Sequence, residues 1–262
     1  MSSPILKDRS PCFGTFVSEV PLQSTVRIAA AAGAQFLIID GEHGVVDLSA
    51  LRTALALCRA LNVRGVVRVP DCGSPMIRQA LDSGAHGILA ANVETVDQAR
   101  QLVDLALFPP QGRRGISFGS AQDDYAGGDV AAKARDTNNA VSLLCMIESP
   151  RGAEAAPEIV ALAGVSGCWF GYIDFSSYAG IPGQIDAPLV LSAAHRVGLA
   201  CSSAGKVAGV MTTSPTHLQP YLDSQFNAIA WGSDAYVLKQ GLVAGMDACR
   251  RAMAHNHSTQ TS

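Results

Sequence analysis

Charge is scarce in this sequence. Charged residues make up 16% of the 262 residues and leave a formal net charge of −3, whereas hydrophobic residues make up 48%. No basic stripe is present, which argues against nucleic acid as a partner. The apolar content indicates a large folded core and argues against a disordered chain.

Long apolar runs and paired cysteines are also missing. No stretch is long enough to span a bilayer and residues 1–11 contain no apolar signal core, so we expect a cytoplasmic protein with no membrane segment. The cysteines number seven and form no CxxC pair, a pattern typical neither of a disulfide framework nor of a zinc site. We interpret most of them as small core residues of a reduced protein.

Lysine is rare, and nucleotide-binding motifs are absent. The four lysines are Lys7, Lys133, Lys206 and Lys239, and none falls at the carboxyl end of a predicted strand. Lys206 stands at the entry to its strand instead. This argues against a Schiff-base aldolase. No GxGxxG follows a strand and no P-loop occurs, so nucleotide binding has no support.

What the sequence does contain is a regular alternation of short apolar runs and longer amphipathic ones. Strands are predicted at about residues 12–17, 35–39, 65–69, 86–90, 141–147, 166–171, 206–211 and 226–231. Eight strand–helix units predict an α/β fold, a (β/α)₈ TIM barrel, which typically needs about 250 residues. An open doubly wound sheet is the alternative.

The domain organisation follows from the same alternation. We expect one barrel domain over residues 1–254 and a disordered polar tail over residues 255–262. Residues 108–139 interrupt the pattern and read as a long irregular connection. A long loop in a compact domain is usually functional.

Polar residues follow several of the predicted strands, where active sites of such barrels lie. The residues concerned are Asp40, Glu42, His43, Arg68, Glu148 and Asp174. Glu148 and Asp174 would repel each other unless a cation or a proton lay between them. Oxygen ligands with open positions suit Mg²⁺ or Mn²⁺. The alternative is that each acid caps the helix that follows it.

Arg68 and His43 each allow two interpretations. Arg68 lies in an otherwise apolar strand, where a buried arginine needs an anion. The anion could be a structural partner such as Asp40 or Asp82, a substrate carboxylate or a developing enolate. His43 could be a general base, or an ordinary hydrogen-bonded histidine.

Taken together, these residues resemble the metal-dependent HpcH/HpaI aldolase family, whose barrels are of the phosphoenolpyruvate/pyruvate-binding type. The resemblance runs from about residue 14 to about residue 234. Its markers are Gly14-Thr15-Phe16, Asp40-Gly41-Glu42-His43-Gly44, Val67-Arg68-Val69-Pro70, Leu81-Asp82-Ser83-Gly84-Ala85, Pro109-Pro110-Gln111-Gly112-Arg113-Arg114-Gly115, Ile147-Glu148-Ser149, Gly171 with Asp174, and Gly232-Ser233-Asp234. The order and spacing of this set make a chance match improbable.

The resemblance implies a class II aldolase, a carbon–carbon lyase. It would cleave or form a 4-hydroxy-2-oxo acid, using pyruvate or a related 2-oxo acid and an aldehyde, through a metal-bound enolate. Glu148 and Asp174 would hold the divalent metal, which is Mg²⁺ or, alternatively, Mn²⁺ or Co²⁺. Members usually form hexamers, so a homo-oligomer is implied.

The resemblance also implies roles for the remaining side chains. Arg68 would stabilise the enolate oxygen, and His43 would move the hydroxyl proton with Asp82 tuning its basicity. Asp40 and Glu42 would support His43 and the metal waters. Substrate contacts would come from Arg68 and from a second set consisting of Met146, Gly171, Tyr172, Ile173 and Asp174.

The chain departs from the family pattern within this pocket. Gly171-Tyr172-Ile173 replaces the usual Gly-Pro-Asn or Gly-Pro-Ala, and Met146 stands where members often have glutamine. Ala90-Ala91 replaces Val-Pro, and Ser120-Ala121-Gln122 lacks a common arginine. We interpret these changes as an altered substrate with retained chemistry. Two alternatives are a citrate-synthase-like condensation of oxaloacetate with acetyl-CoA and a non-catalytic barrel.

Overall fold

The computed structural model describes residues 6–7, 9–19, 22–44 and 47–260. Eight parallel strands close into a barrel in the order β1 to β8, and β8 pairs with β1. The strands are β1 (Cys12–Val17), β2 (Phe36–Asp40), β3 (Arg64–Val69), β4 (Gly87–Ala90), β5 (Ser142–Ile147), β6 (Gly167–Phe170), β7 (Val207–Thr212) and β8 (Ala228–Ser233). The predicted TIM barrel is therefore confirmed, and the open sheet is excluded.

Helices connect the strands on the outside of the barrel. Within the described residues they are α1 (Leu22–Ala31), α2 (Leu48–Ala60), α3 (Met76–Asp82), α4 (Val96–Ala106), α5 (Val130–Ala140), α6 (Pro150–Ala161), α7 (Tyr172–Tyr178), α8 (Pro188–Ser203), α9 (Pro215–Asp223) and α10 (Asp234–Gln260), with one 3₁₀ turn at Ala121–Asp123. No helix in this part of the chain combines the length and apolarity that a bilayer crossing requires.

The apolar residues form two layers, because successive side chains of a strand point to opposite faces. The larger layer lies between the strands and the helices, and it includes Leu37, Ile39 and Val67. The smaller one fills the barrel interior and includes Phe16 and Trp169. Trp169 packs edge-on against Phe16, with ring centroids 5.8 Å apart. The interior is thus a packed core whose upper end forms the floor of any site at the strand ends.

The structure differs from the sequence expectations in two segments. The connection over residues 108–139 contains the 3₁₀ turn and the helix α5, which Asp129 caps by accepting from the Ala132 N–H at 2.7 Å. Asn138 of α5 also bonds to both backbone groups of Phe108. At the other end of the chain, α10 continues to Gln260, so the tail expected to be disordered from residue 255 is helical up to residue 260. Residues 261–262 lie outside the described residues.

Candidate active site

Asp40 organises the turn that follows β2. Its Oδ1 accepts from the backbone N–H groups of Glu42 (3.0 Å) and His43 (3.1 Å). Gly41 is required in this turn, because a Cβ there would lie 2.7 Å from the carbonyl oxygen of Arg68 and 2.4 Å from Met76 Sδ. The turn therefore holds Glu42 and His43 at the mouth of the barrel.

Arg68 projects from β3 into the same end of the barrel and is buried. Its Nε and Nη2 bond to the two carboxylate oxygens of Asp40 at 2.9 and 2.5 Å, and its Nη1 lies 3.1 Å from Glu42 Oε2. Of the two structural partners considered for Arg68, Asp40 is the one observed. Burial opposes the charge of both groups, but the bonds between them outweigh it, so the pKa of Asp40 is lowered and that of Arg68 is raised.

Glu148 follows β5 and is buried at 4% exposure. Its Oε1 accepts from the Asn92 N–H at 2.7 Å, while a Cβ placed on Gly171 would lie 2.7 Å from its Oε2. Burial raises the pKa of Glu148 to about 7, and the nearby charges of Asp174 and Glu42 add to the rise. The Asn92 N–H and the charge of Arg68 oppose this rise but do not outweigh it.

Asp174 lies in the first turn of α7 and is exposed. It does not cap that helix, since the helix begins two residues earlier, after Gly171. The Gly171 N–H is used in the barrel, where it donates to Ile147 at 3.0 Å. The Gly171 N–H is therefore not available to a substrate. Tyr172 and Ile173 are in the first turn of α7, where backbone N–H groups lack an intrahelical acceptor.

The Tyr172 side chain is buried and packs against α9. Its ring meets His217 edge-on with centroids 4.7 Å apart, and it lies 6.0 Å from the Tyr221 ring. Ile173 is 52% exposed. The bulk of Tyr172, which replaces the proline of the family pattern, is therefore largely absorbed between two helices.

His43 and Asp82 lie in different places, contrary to the pairing expected for them. The His43 side chain is 73% exposed and its Nε2 lies 3.9 Å from Glu42 Oε2. Asp82 ends α3, which runs from the mouth of the barrel toward its opposite end. There it accepts from Arg114 Nη2 at 2.7 Å. Within one chain, Asp82 is thus a partner of Arg114 and does not reach His43.

A cavity of about 190 Å³ opens between these groups. Its lining contains the residues proposed for substrate contact, namely Arg68, Met146, Asp174 and the Gly171–Ile173 segment, and also Asp40, which was assigned a supporting role. Its wall also includes residues that we did not assign to the site, namely Phe16, Ser18, Trp169, Phe170, Met211 and Ser233. Phe16 and Ser233 do occur in motifs quoted above, but nothing in the sequence shows that their side chains face the cavity.

The carboxylates at this end of the barrel are the candidate ligands of a cation. Within the described residues, no group of three or more His, Cys, Asp or Glu side chains converges as a complete metal site. Glu148 and Asp174 are two carboxylates close enough for Asp174 to raise the pKa of Glu148. Two oxygen ligands with open positions match the preference of Mg²⁺, which keeps waters and substrate oxygens in its shell. The residues therefore fit a hard divalent cation held in part by substrate.

Comparison with known proteins gives a consistent result. The model of the family described as HpcH/HpaI aldolase/citrate lyase matches residues 14–240. A hydroxypyruvate/pyruvate aldolase of Agrobacterium fabrum is 34% identical over 210 residues, which are 80% of this chain and 79% of that protein. A 2-keto-3-deoxy-L-rhamnonate aldolase of Escherichia coli O157:H7 is 31% identical over 82% of this chain and 80% of its own length.

A solved structure agrees with the sequence matches. The crystal structure of an HpcH/HpaI aldolase from Desulfitobacterium hafniense superposes with a TM-score of 0.87 at 26% identity, covering 92% of this chain and 93% of that one. The resemblance stated from the sequence motifs is thereby confirmed.

Proposed function

Because the chain belongs to the HpcH/HpaI aldolase/citrate lyase family, we propose that it is an aldolase-type carbon–carbon lyase. It cleaves or forms a 4-hydroxy-2-oxo acid, with pyruvate or a related 2-oxo acid and an aldehyde as the two halves. One observation supports this most directly. The small cavity at the strand ends is bordered by Arg68 and Asp174, with the buried carboxylate of Glu148 behind Gly171.

We propose that Glu148 and Asp174 hold a divalent cation, with Mg²⁺, Mn²⁺ and Co²⁺ as candidates. Glu148 Oε2 lies directly behind Gly171, where a Cβ would crowd it. When bound, such a cation acts as a Lewis acid that stabilises negative charge on the oxo acid. The positive charge of a cation would also offset the effects of burial and of carboxylate repulsion, which raise the pKa of Glu148.

The chain's own residues supply positioning and proton transfer. Three of the five N–H donors of Arg68 are directed at Asp40 and Glu42, which leaves two that can reach an oxygen in the cavity. In our proposal Arg68 stabilises the enolate oxygen. Asp40 and Glu42 fix its orientation, and His43, at the mouth of the barrel, moves the hydroxyl proton when the carbon–carbon bond forms or breaks.

The test is aldol synthesis with purified protein. Pyruvate and a set of short aldehydes, including glycolaldehyde and glyceraldehyde, are mixed with protein loaded with Mg²⁺, Mn²⁺ or Co²⁺, and adducts are measured by NMR. We expect adducts that disappear when a chelator is added. Absence of adducts with every aldehyde and every metal would contradict the proposal. CoA release from acetyl-CoA and oxaloacetate would instead identify a citrate-synthase-like condensation.

We further propose a homo-oligomer. The helix α10 exposes an apolar stripe, since Leu238, Leu242, Met246 and Met253 recur along one face at spacings of one or two helical turns and are 53–64% exposed. A stripe of this kind is normally covered by a partner. Light scattering should show more than one chain per particle for the native protein, and Leu242→Lys should reduce that number. A native monomer would refute this.

A cytoplasmic location completes the proposal. Six of the seven cysteines are buried, as expected for small core residues of a chain that folds under reducing conditions. A fluorescent fusion in the native host tests this.

A further inference from the structure

We propose that Met146 makes this enzyme select a 2-oxo acid whose C3 carries hydrogen or an alkyl group, and reject one that carries a hydroxyl at C3. The inference rests on the proposed function and narrows its substrate class. In plain terms, pyruvate and 2-oxobutyrate are expected to be substrates, and 3-hydroxypyruvate is expected to be a poor one.

The position of Met146 carries the argument. It belongs to β5, points into the barrel and is 6% exposed. A Cβ placed on Gly171 would lie 2.9 Å from Met146 Cε and 2.7 Å from Glu148 Oε2. The thioether methyl and the candidate metal carboxylate therefore lie side by side against the same glycine. Any molecule that reaches Glu148 also meets a side chain that cannot donate a hydrogen bond.

The wall around Met146 is apolar as well. Phe16, Trp169 and Met211 line the same cavity. The indole of Trp169 lies over Gly209, where a Cβ would come within 2.1 Å of the ring, and its centroid is 5.8 Å from that of Phe16. These contacts fix the orientation of the indole, so the same face of the Trp169 ring is presented to any ligand in the cavity.

Polar partners for a ligand lie elsewhere in the cavity. Arg68 has two N–H donors left after it binds Asp40 and Glu42, and Glu148 and Asp174 supply the cation site. The carboxylate and keto oxygens of an oxo acid require these groups. In a cavity of about 190 Å³, the C3 substituent is then left against the apolar wall.

The wall of the cavity also contains Ser18 and Ser233, which follow β1 and end β8, across the barrel from Met146 in β5. The Ser18 hydroxyl donates to Asp234 and the Ser233 hydroxyl accepts from the Tyr236 N–H, both at 3.4 Å.

The expected discrimination follows from the cost of a buried hydroxyl without a partner. That cost corresponds to about a 5- to 100-fold loss of rate or affinity. An added methyl group placed against apolar surface is favourable instead, by about 4-fold. The two effects have opposite signs. The ratio of the exchange rate on 2-oxobutyrate to that on 3-hydroxypyruvate is therefore the sensitive quantity to measure.

The experiment measures exchange of C3 protons in D₂O by NMR, with each rate divided by the rate in buffer containing the metal alone. Native protein, Met146→Gln and Met146→Leu are compared on pyruvate, 2-oxobutyrate and 3-hydroxypyruvate. We expect native protein to favour both alkyl acids by at least 5-fold. Met146→Gln should raise the relative rate on 3-hydroxypyruvate about 10-fold or more, and Met146→Leu should keep the native ratio.

A binding measurement provides a readout independent of turnover. The chain has two tryptophans, so Trp231→Phe leaves Trp169 in the cavity wall as the single tryptophan, which can be excited at wavelengths that tyrosine does not absorb. Titration with 2-oxobutyrate and with 3-hydroxypyruvate, in the presence and absence of Mg²⁺, should give the tighter Kd for 2-oxobutyrate. Adding Met146→Gln to this background should reduce or reverse the difference.

The outcomes separate this inference from the proposed function. Native protein that exchanges or binds 3-hydroxypyruvate at least as well as 2-oxobutyrate would overturn the role of Met146 while leaving an aldolase in place. An unchanged ratio in Met146→Gln would do the same. If no acid exchanges above the buffer rate with any metal, the proposed function fails, and the Trp169 titrations still decide whether the cavity prefers alkyl groups.

Discussion

Two buried arginines lie at opposite ends of the barrel, and each has an aspartate and a phenylalanine as nearest neighbours. Arg68 binds Asp40 and lies with its guanidinium carbon 5.5 Å from the centroid of the Phe16 ring. Arg114 binds Asp82, and its guanidinium carbon lies 4.6 Å from the centroid of the Phe108 ring. Each is thus a buried arginine that pairs with an aspartate and stacks on a phenylalanine, an arrangement that by itself does not distinguish a structural role from a functional one.

The difference lies in the charge around each pair. Several carboxylates surround Arg68, and their negative charge raises its pKa despite burial. The pKa of Glu148, one of these carboxylates, is raised to about 7. Burial lowers the pKa of Arg114 despite Asp82, and its Nε and Nη1 are buried without a hydrogen-bond partner among the described residues. Unbalanced negative charge beside a cavity favours a cation and a substrate. Arg114 also lines a cavity and bonds to Gln122 Oε1 at 2.6 Å, but carboxylates are not in excess there, so the described residues at this end of the barrel offer no comparable cation site.

The largest effect that would sharpen this contrast is expected from Glu148→Gln. The variant keeps the shape but removes a ligand charge, so the rate of C3 proton exchange should fall by about 10³-fold or more. Stability of the metal-free protein should not fall, because burial already disfavours the charge of Glu148. Exchange NMR and thermal melts monitored by circular dichroism measure the two quantities.

Glu158→Gln on the exposed face of α6 is the matched control, and it should alter neither quantity. An active Glu148→Gln protein would remove the main distinction between the two ends of the barrel.

A matched pair of substitutions tests the two arginines directly. Arg68→Lys cannot span both oxygens of Asp40 together with Glu42, so kcat/KM should fall about 10²-fold. Arg114→Lys should leave kcat/KM of the folded protein unchanged and lower stability by about 1–3 kcal/mol. Steady-state kinetics and urea unfolding of both variants give the comparison. Equal losses of kcat/KM would show that the two pairs are not functionally distinct.

The barrel itself could be predicted because its strands are short apolar runs bounded by turns, and all eight predicted strands overlap the observed ones. The helix α5 could not be predicted in the same way. Of its eleven residues only Ala134 and Asn138 are buried, so it lacks apolar periodicity. The cap by Asp129 and the hydrogen bonds between Asn138 and Phe108 stabilise this helix. The bonds to Phe108 join residues that are 30 positions apart in the sequence, so no local pattern predicts them.

The candidate site shows the same division between local and non-local information. Asp40, Arg68 and Glu148 could be placed because each sits at or next to a strand end, and parallel strands bring their ends together. The role of Asp82 stays a prediction, since the helix α3 carries its last residue to the other end of the barrel within one chain. The direction of Tyr172 depends on His217 of α9, a contact that no sequence pattern near Tyr172 reveals.

A further effect, confined to acid pH, is expected from His86, at the end of the barrel where Arg114 lies. Its Nδ1 accepts from the Gly65 N–H at 3.1 Å, and burial, assisted by Arg64 and Arg59, lowers its pKa to about 4. Because the folded pKa lies below the unfolded value of 6.5, His86 is neutral in the folded protein. Its contribution to stability is complete above pH 6.5 and is lost as the pH falls toward 4.

His86→Asn keeps an acceptor for Gly65 but cannot be protonated. Between pH 6.5 and 4 the variant should lose up to about 3 kcal/mol less stability than the native protein, as measured by urea unfolding at each pH. His195→Asn is the control and should keep the native slope. If His86→Asn also keeps the native slope, the loss of stability in acid does not come from this end of the barrel. The carboxylates around Arg68 would then be the groups to examine, because the lowered pKa of Asp40 also costs stability on protonation.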